Sequence, residues 1–460
     1  MEEFDVIVIG AGPAGEVAAG RCAEGGLSVA IVERELVGGE CSYWGCVPSK
    51  TLIRPGGVLA AARRVPGAAA AVTGRLDVAA ALARRDYMVG SWHDDGQLPW
   101  LHDRGITLVR GTGRLAGERL VAVDGGRELR AGTAVVLATG TRAAVPPVDG
   151  LRECRPWDNR TATGAKDVPR RLLVLGGGAV GAELAQAFRR LGSAEVTVVE
   201  AAPGLLSREE PFAGEEVKAA FEAAGIRVLT GVSLTRARRT GNGDGPVVAT
   251  LSNGQEIEAD EILVAVGRSP ATGDLGLDAV GLAPGRYVEV DERLRAAGVP
   301  GGWLYAVGDC NGLALLTHMG KYQARIAGDV ILGRDAVDRS SRDAVPRVTF
   351  TDPQVCAVGL TEAQARERGL PVRVVRYGTG DVAGASVLGE GISGTGALVV
   401  DTAREVLVGA TFTGPDLQEL LHSATVAVAG AVPLRTLWHA VPSFPTVSEV
   451  WLRLLETYGL

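Results

Sequence analysis

Residues 4–9, Phe4-Asp5-Val6-Ile7-Val8-Ile9, open the chain with a mostly apolar, β-branched run, the pattern of a strand buried on both faces. Gly10, Gly12 and Gly15 follow at once, and residues 16–24 then read as an Ala-rich helix. Residues 28–33 form a second apolar run. Together these segments predict one βαβ unit. The pattern returns about 166 residues later. Residues 171–175 read as a strand, Gly176, Gly178 and Gly181 open a helix to about Leu191, and residues 195–200 form the next strand. The chain therefore carries a duplicated α/β unit of the kind that binds ligands at the carboxyl ends of its strands.

Three further apolar runs end in glycine: 134–138 before Thr139-Gly140, 261–266 before Gly267-Arg268, and 303–307 before Gly308-Asp309. Residues 115–129 and 247–257 predict small hairpins, and 236–246, polar and Gly-rich, an exposed turn. Residues 56–82, rich in Ala and Gly, predict a helix, and 334–345 a charged linker. Beyond the linker the period changes. Strands are expected at 372–377, 396–401 and 405–411 and helices at 418–428 and 449–457, giving a separate α+β domain of about 115 residues.

Composition narrows the function. With 46% hydrophobic residues the chain is not disordered, and a net charge of -7 argues against nucleic acid as the main partner. No run of 18 apolar residues lacks a charge or helix breaker, so no membrane span is expected. No basic segment precedes an apolar run at the start, and the cytoplasm is the expected compartment. The six cysteines are too sparse for a disulfide-stapled scaffold, and only Cys41 and Cys46 are close. In a reducing compartment such a pair is more often catalytic or metal-binding than structural. His93, His102 and His422 lack metal-ligand spacing, and no metal site is expected.

The glycine sets carry the first chemistry. In Gly10-x-Gly12-x-x-Gly15 the first glycine allows a tight turn, the second lets backbone approach a pyrophosphate, and the third lets helix and sheet pack closely. The phosphates would sit on the free N–H groups of the helix start. Glu33, beside Arg34, ends the next strand, where a carboxylate can bond ribose hydroxyls. Glu200 holds the same place after Gly176, Gly178 and Gly181. A 2′-phosphate would meet a like charge there, and no basic residue follows until Arg208, so NADH is expected over NADPH. Two dinucleotide sites suggest one resident cofactor and one exchangeable donor, with FAD and NAD(P)H the natural pairing. Cys41 and Cys46, five apart, would lie roughly 8–9 Å apart in a regular helix, beyond the roughly 7 Å limit for a disulfide. A bond therefore needs an irregular first turn, which Gly38-Gly39 and Gly45 could permit.

At this point a family likeness emerges. Gly38-Gly39-Glu40-Cys41-Ser42-Tyr43-Trp44-Gly45-Cys46-Val47-Pro48-Ser49-Lys50 resembles the redox-active motif of the class I pyridine nucleotide–disulfide oxidoreductases, which include dihydrolipoamide dehydrogenase, glutathione reductase and mercuric reductase. Ala138-Thr139-Gly140, Gly267-Arg268-Ser269-Pro270, residues 304–309 and residues 346–353 with 358–362 resemble the remaining motifs in order. The resemblance implies two Rossmann-like domains and an α+β dimerisation domain: FAD at 1–150 and 270–340, NAD(P) at 151–269, interface at 341–460. It implies a homodimer with active sites built across the interface. It makes Cys41 the interchange thiol, Cys46 the thiol against the flavin, and Lys50, paired with Glu183, the cation near flavin N5. Gly39, Thr139, Gly140, Gly308 and Asp309 would join the flavin site and Gly267 the nicotinamide site.

One block departs from the pattern. Disulfide-reducing members carry a C-terminal His-Pro-Thr with a Glu three residues after the Thr, supplied by the partner subunit. Here Phe444-Pro445-Thr446 precedes Glu449, and phenylalanine cannot shuttle a proton. His439 lies five residues upstream. His318, after the Asp309 motif, is the better candidate for an active-site histidine, with a structural role as the alternative. The expected function is an NAD(P)H-dependent flavoprotein oxidoreductase using a Cys41–Cys46 disulfide on a non-standard small-molecule acceptor: a quinone, a metal ion or an unusual disulfide. The alternatives are an ordinary disulfide reductase resembling dihydrolipoamide dehydrogenase, and a low-turnover flavoprotein redox sensor.

Overall fold

The computed structural model describes residues 1–460, the side chain of Asn242 excepted. The chain forms two compact units. One comprises Met1–Pro48, Asp86–Ala143 and Arg268–Arg342, the other Ser49–Arg85, Ala144–Gly267 and Asp343–Leu460.

The first unit is built on a seven-stranded sheet. Thr107–Arg110, Val29–Glu33, Glu2–Ile9 and Arg127–Leu137 lie side by side and parallel, and Leu304–Ala306 pairs with the far edge of Arg127–Leu137. The β-branched opening run is buried because both faces are covered. Ala18, Ala19 and Cys22 of the helix Pro13–Glu24 and Ala324 and Ala327 of the helix Thr317–Ile331 share one core with Val6 and Val8. Ile7 and Ile9 point the other way, into a core with Leu115, Val121, Leu129 and Trp303. The expected hairpin over 115–129 is larger than foreseen. Gly113–Gly117 and Leu120–Val123 pair antiparallel, then Arg127–Leu137 runs on unbroken through the strand expected at 134–138.

The second unit holds three sheets. Ile226–Thr230, Glu195–Glu200, Arg171–Leu175 and Glu261–Val264 form a parallel sheet, packed by the helices Ala179–Leu191 and Pro211–Ala223. Leu234–Arg239, Val247–Leu251 and Glu256–Ala259 form an antiparallel one. The turn expected at 236–246 therefore begins only after Arg239. Arg236 to Arg239 look like loop by polarity, yet they pair with Val247 to Thr250, and Arg239 reaches Glu261 at 2.7 Å. The third sheet is five-stranded and antiparallel: Pro346–Thr349, Gln354–Gly359, Val406–Gly414, Thr395–Asp401 and Val372–Gly378. The helices Leu421–Ala429 and Val450–Tyr458 pack on it through Ala424, Ala427, Val450 and Leu454. Its first two strands escape the hydrophobic pattern because Pro346, Thr349 and the Thr351-Asp352-Pro353 turn interrupt it.

The helix expected at 56–82 needs correction. A helix runs from Cys46 to Arg64, a short turn covers Ala68–Ala71, and a separate helix spans Val78–Met88. Pro66-Gly67, with Gly67 at φ +87°, stops the first element.

Candidate active site

The two glycine loops repeat the same close approaches. Gly10 sits at φ +103°, and a Cβ there would lie 2.5 Å from the Ala138 carbonyl oxygen; at Gly15 it would lie 1.9 Å from the Gly10 oxygen. In the second loop Gly176 sits at φ +100°, 2.5 Å from the Ala265 oxygen, and Gly181 repeats the 1.9 Å approach to Gly176. A side chain is excluded at these four positions. At Gly12 and Gly178 a Cβ would meet nothing within 4 Å, so each loop opens at the residue that precedes its helix. Glu33 accepts from the backbone N–H groups of Ala11 and Glu35, both at 2.7 Å. Glu200 accepts from Gly177 at 2.6 Å and Ala202 at 2.7 Å. Each acid thus ties its strand end to the glycine loop. Arg34 is exposed and lies 4.0 Å from Glu35.

Around the first loop the structure gathers the short glycine motifs. A Cβ on Gly39 would come within 2.7 Å of Gly12 Cα. Gly140 turns at φ +69° and Gly308 at φ +74°, where a Cβ would touch Ala14. Thr139 Oγ1 is among the buried polar atoms that find no hydrogen-bond partner among the described residues. Asp309 accepts from Thr141 Oγ1 at 2.8 Å, and Arg268 Nε donates to the same hydroxyl at 2.5 Å. Arg268 also reaches Glu40 at 3.3 Å, beside Cys41. Burial pushes the Asp309 carboxyl up, against the pull of Thr141 and Arg268. Burial likewise holds Glu16, in the first turn of its helix, up at about 7.

The irregularity the cysteine pair requires lies at Trp44 and Gly45. Cys41 belongs to the short helix Gly39–Tyr43, Trp44 breaks it at φ -138°, and Cys46 begins the helix Cys46–Arg64. A Cβ on Gly45 would press to 3.1 Å from the Glu40 oxygen. Both cysteines are in the thiol form. Cys46 Sγ lies 3.4 Å from Thr317 Oγ1. Hydrogen bonding to Cys46, then burial, pushes the Cys41 thiol far above its ordinary range. The buried Tyr43 anchors the loop by donating to the Val37 carbonyl at 3.0 Å. His318 is exposed, next to Thr317 at the helix start.

In the second unit, one turn beyond Cys46 on its helix, Lys50 donates to Glu183 at 2.6 Å. Glu183 also accepts from the Phe350 N–H at 2.9 Å, and the ammonium stands 4.8 Å from the centre of the Phe350 ring. Nearby, Asp352 takes Arg64 and Arg190 at 2.6 Å each. Burial alone would raise the Asp352 carboxyl, but Arg190 and Arg64 more than offset it and hold it below the usual carboxylate range. At the C-terminal block Phe444 is 76% exposed. Glu449 Oε1 accepts from Arg453 at 2.7 Å, whereas Oε2 is buried and unpartnered among the described residues. His439 is exposed.

The family model for pyridine nucleotide-disulphide oxidoreductases matches residues 4–327, and the dimerisation-domain model of the same family matches 345–454. The chain belongs to this family. A mercuric reductase of Staphylococcus aureus is 31% identical over 97% of this chain and 81% of its own. A dihydrolipoyl dehydrogenase of Chlamydia muridarum is 32% identical over 98% and 96%. Among solved structures, the Cu(II) complex of the HOCl-induced flavoprotein disulfide reductase RclA from Escherichia coli superposes with a TM-score of 0.85 at 26% identity, covering 99% of both chains. LpdA from Mycobacterium tuberculosis gives 0.85 at 25%, covering all of both chains.

As a pyridine nucleotide-disulphide oxidoreductase, the chain is an FAD-dependent, NAD(P)H-using flavoprotein enzyme and a homodimer. Its own residues fit the cofactor. The open edge at Gly12, the close approach of Gly39 and the orphaned Thr139 hydroxyl are features that a dinucleotide would use. No helix is long and apolar enough to cross a membrane among the described residues. Sequence reasoning missed Thr317, Phe350, Asp352 and Arg453 as functional neighbours. The partners of Thr317, Phe350 and Asp352 lie far along the chain, with no local period to mark them, whereas Arg453 stands four residues after Glu449, a helical spacing that could have found it.

Proposed function

We propose that the chain passes two electrons from NADH, through bound FAD and the Cys41–Cys46 pair, to a small-molecule acceptor other than lipoamide or glutathione disulfide. Bound FAD supplies hydride acceptance from the nicotinamide and delivery of the electron pair to the cysteines. Gly10, Gly12, Gly15, Glu33, Gly39, Thr139, Gly140, Gly308 and Asp309 hold that cofactor; Gly176, Gly178, Gly181, Glu200 and Gly267 hold the nicotinamide nucleotide. Lys50, fixed by Glu183, serves the flavin ring. Cys41 is the thiol that meets the acceptor, and Cys46 rests beside Thr317. His318 supplies or takes the proton at this end of the site.

The observation that carries this reading is the C-terminal block. Phe444 offers no proton, and Glu449 is engaged by Arg453 rather than by a histidine. Interchange with an ordinary disulfide needs a proton for the departing thiolate, whereas a soft metal ion takes the electron pair without one and a quinone takes it with two protons, which fall to His318 and solvent. The relatives named for mercuric reduction and for a Cu(II) complex keep metal ions among the candidates. The second reading is a dihydrolipoyl dehydrogenase-like activity, favoured by relatives of that name.

Anaerobic titration with NADH tests the electron path. The wild type should take up four electrons, two into FAD and two into the cysteines, and Cys41→Ser only two. Equal uptake by both proteins would remove the cysteines from the path. Turnover with lipoamide or glutathione disulfide near ~100 s⁻¹, within the usual enzyme range, would overturn the choice of acceptor. Because Glu200 is held at the strand end by two backbone N–H groups and would set a like charge against a 2′-phosphate, kcat/KM should favour NADH over NADPH by at least about tenfold, some 1.4 kcal/mol. Parity between them would contradict that role.

A further inference from the structure

The Lys50–Glu183 pair has a third member whose side chain and backbone do different work. Glu183 is nearly buried, with its side chain 5% exposed, and both of its oxygens are engaged: Oε1 by the Phe350 N–H, Oε2 by the Lys50 ammonium. Lys50 is not buried to the same degree; its side chain is 35% exposed. An ammonium on a four-carbon stem, held by one carboxylate oxygen, keeps freedom to swing. The ring of Phe350, 4.8 Å from Nζ, is the second wall against that swing. A cation at this distance is attracted to the ring face.

We propose that Phe350 is a positioning residue for Lys50, its backbone N–H fixing the acid and its ring seating the ammonium. The inference rests on the reading that Lys50 serves the bound flavin. The two contributions are separable, because changing the side chain leaves the N–H bond to Glu183 in place. Removing the ring should loosen the ammonium without unpairing the buried carboxylate. The reach of Lys50 toward the flavin would then be populated for a smaller share of the time, and reduction of the flavin would slow while nucleotide binding would not change.

The chain contains only four lysines, Lys50, Lys166, Lys218 and Lys321, so holoprotein grown on ¹³Cε-lysine gives a spectrum simple enough to assign with Lys50→Met. The ε-methylene protons of Lys50 should be shifted upfield by the ring in the wild type and in Phe350→Tyr. In Phe350→Leu, with Phe350→Met as a second ring-free variant, they should move to the position of the exposed lysines. Stopped-flow reduction by NADH should slow about three- to fivefold in the ring-free variants, the range of a partly exposed cation–π contact, with unchanged nucleotide Kd and recovery in Phe350→Tyr. A Lys50 signal in both ring-free variants identical to the wild type overturns the proposal. If that signal moves as expected but Lys50→Met reduces its flavin at the wild-type rate, the seat stands and the placement of Lys50 at the flavin falls.

Discussion

Glu449, three residues after the Thr of the C-terminal block, has its carboxylate engaged along its own helix. Its side chain is 12% exposed, one oxygen is paired with Arg453 a turn along the same helix, and the other is buried without a partner among the described residues. A histidine at 444 would need this carboxylate to orient its ring, and Arg453 competes for it. Phe444→His alone should therefore raise disulfide turnover only weakly. Phe444→His with Arg453→Gln should raise it by about a hundredfold, the lower end of what a positioned general acid contributes. Steady-state assays with lipoamide check both, and equal rates for the single and double variants would show that Arg453 is not the obstacle.

At the scale of elements, the helix Cys46–Arg64 owes its fixed end to one carboxylate. It is held at its far end by Arg64 on Asp352, which also takes Arg190 from the helix Ala179–Leu191. Asp352→Asn should cost roughly 3 kcal/mol, because it leaves two half-buried guanidinium groups without their shared charge. The sign with pH follows from the lowered carboxyl. Its contribution is complete above the unfolded value of ~3.9 and is lost as pH falls through the lower folded value, so the wild type should lose its margin over Asp352→Asn only in acid. Thermal unfolding of both proteins at pH 7 and pH 3 measures this. The elements around the glycine loops were legible in the sequence, since Val6 to Ile9 and Leu172 to Leu175 carry their own strand period and Gly10 and Gly176 mark where each strand ends. Arg236 to Arg239 were not legible, because their polarity reads as loop while the backbone pairs with Val247 to Thr250 and carries Arg239 to Glu261. The break at Trp44 was foreseeable only as a requirement of the Cys41–Cys46 spacing. The clamp at Asp352 was invisible, as its arginines are 288 and 162 residues away.

For the molecule as a whole, the C-terminal region leaves apolar side chains to solvent: Val441 at 83%, Phe444, Val387 and Val426. In a family that dimerises through this domain they are the natural contact surface. Val441→Asp should weaken the dimer enough to give a concentration-dependent monomer in sedimentation, with the unit's own core untouched; an unchanged dimer would place the interface elsewhere. The same unit ties its parallel nucleotide sheet to the dimerisation sheet. Arg347 meets Glu209 through two bonds of 2.9 Å, the Glu362 N–H donates to Glu210 at 2.7 Å, and Glu216 accepts from the hydroxyls of Thr395 and Thr413. The nucleotide sheet is therefore not a free-standing cassette within this unit. A chimera that imports another relative's residues 151–269 to change coenzyme choice would sever these ties unless it brought that relative's 343–460 along, and with them its choice of subunit partner.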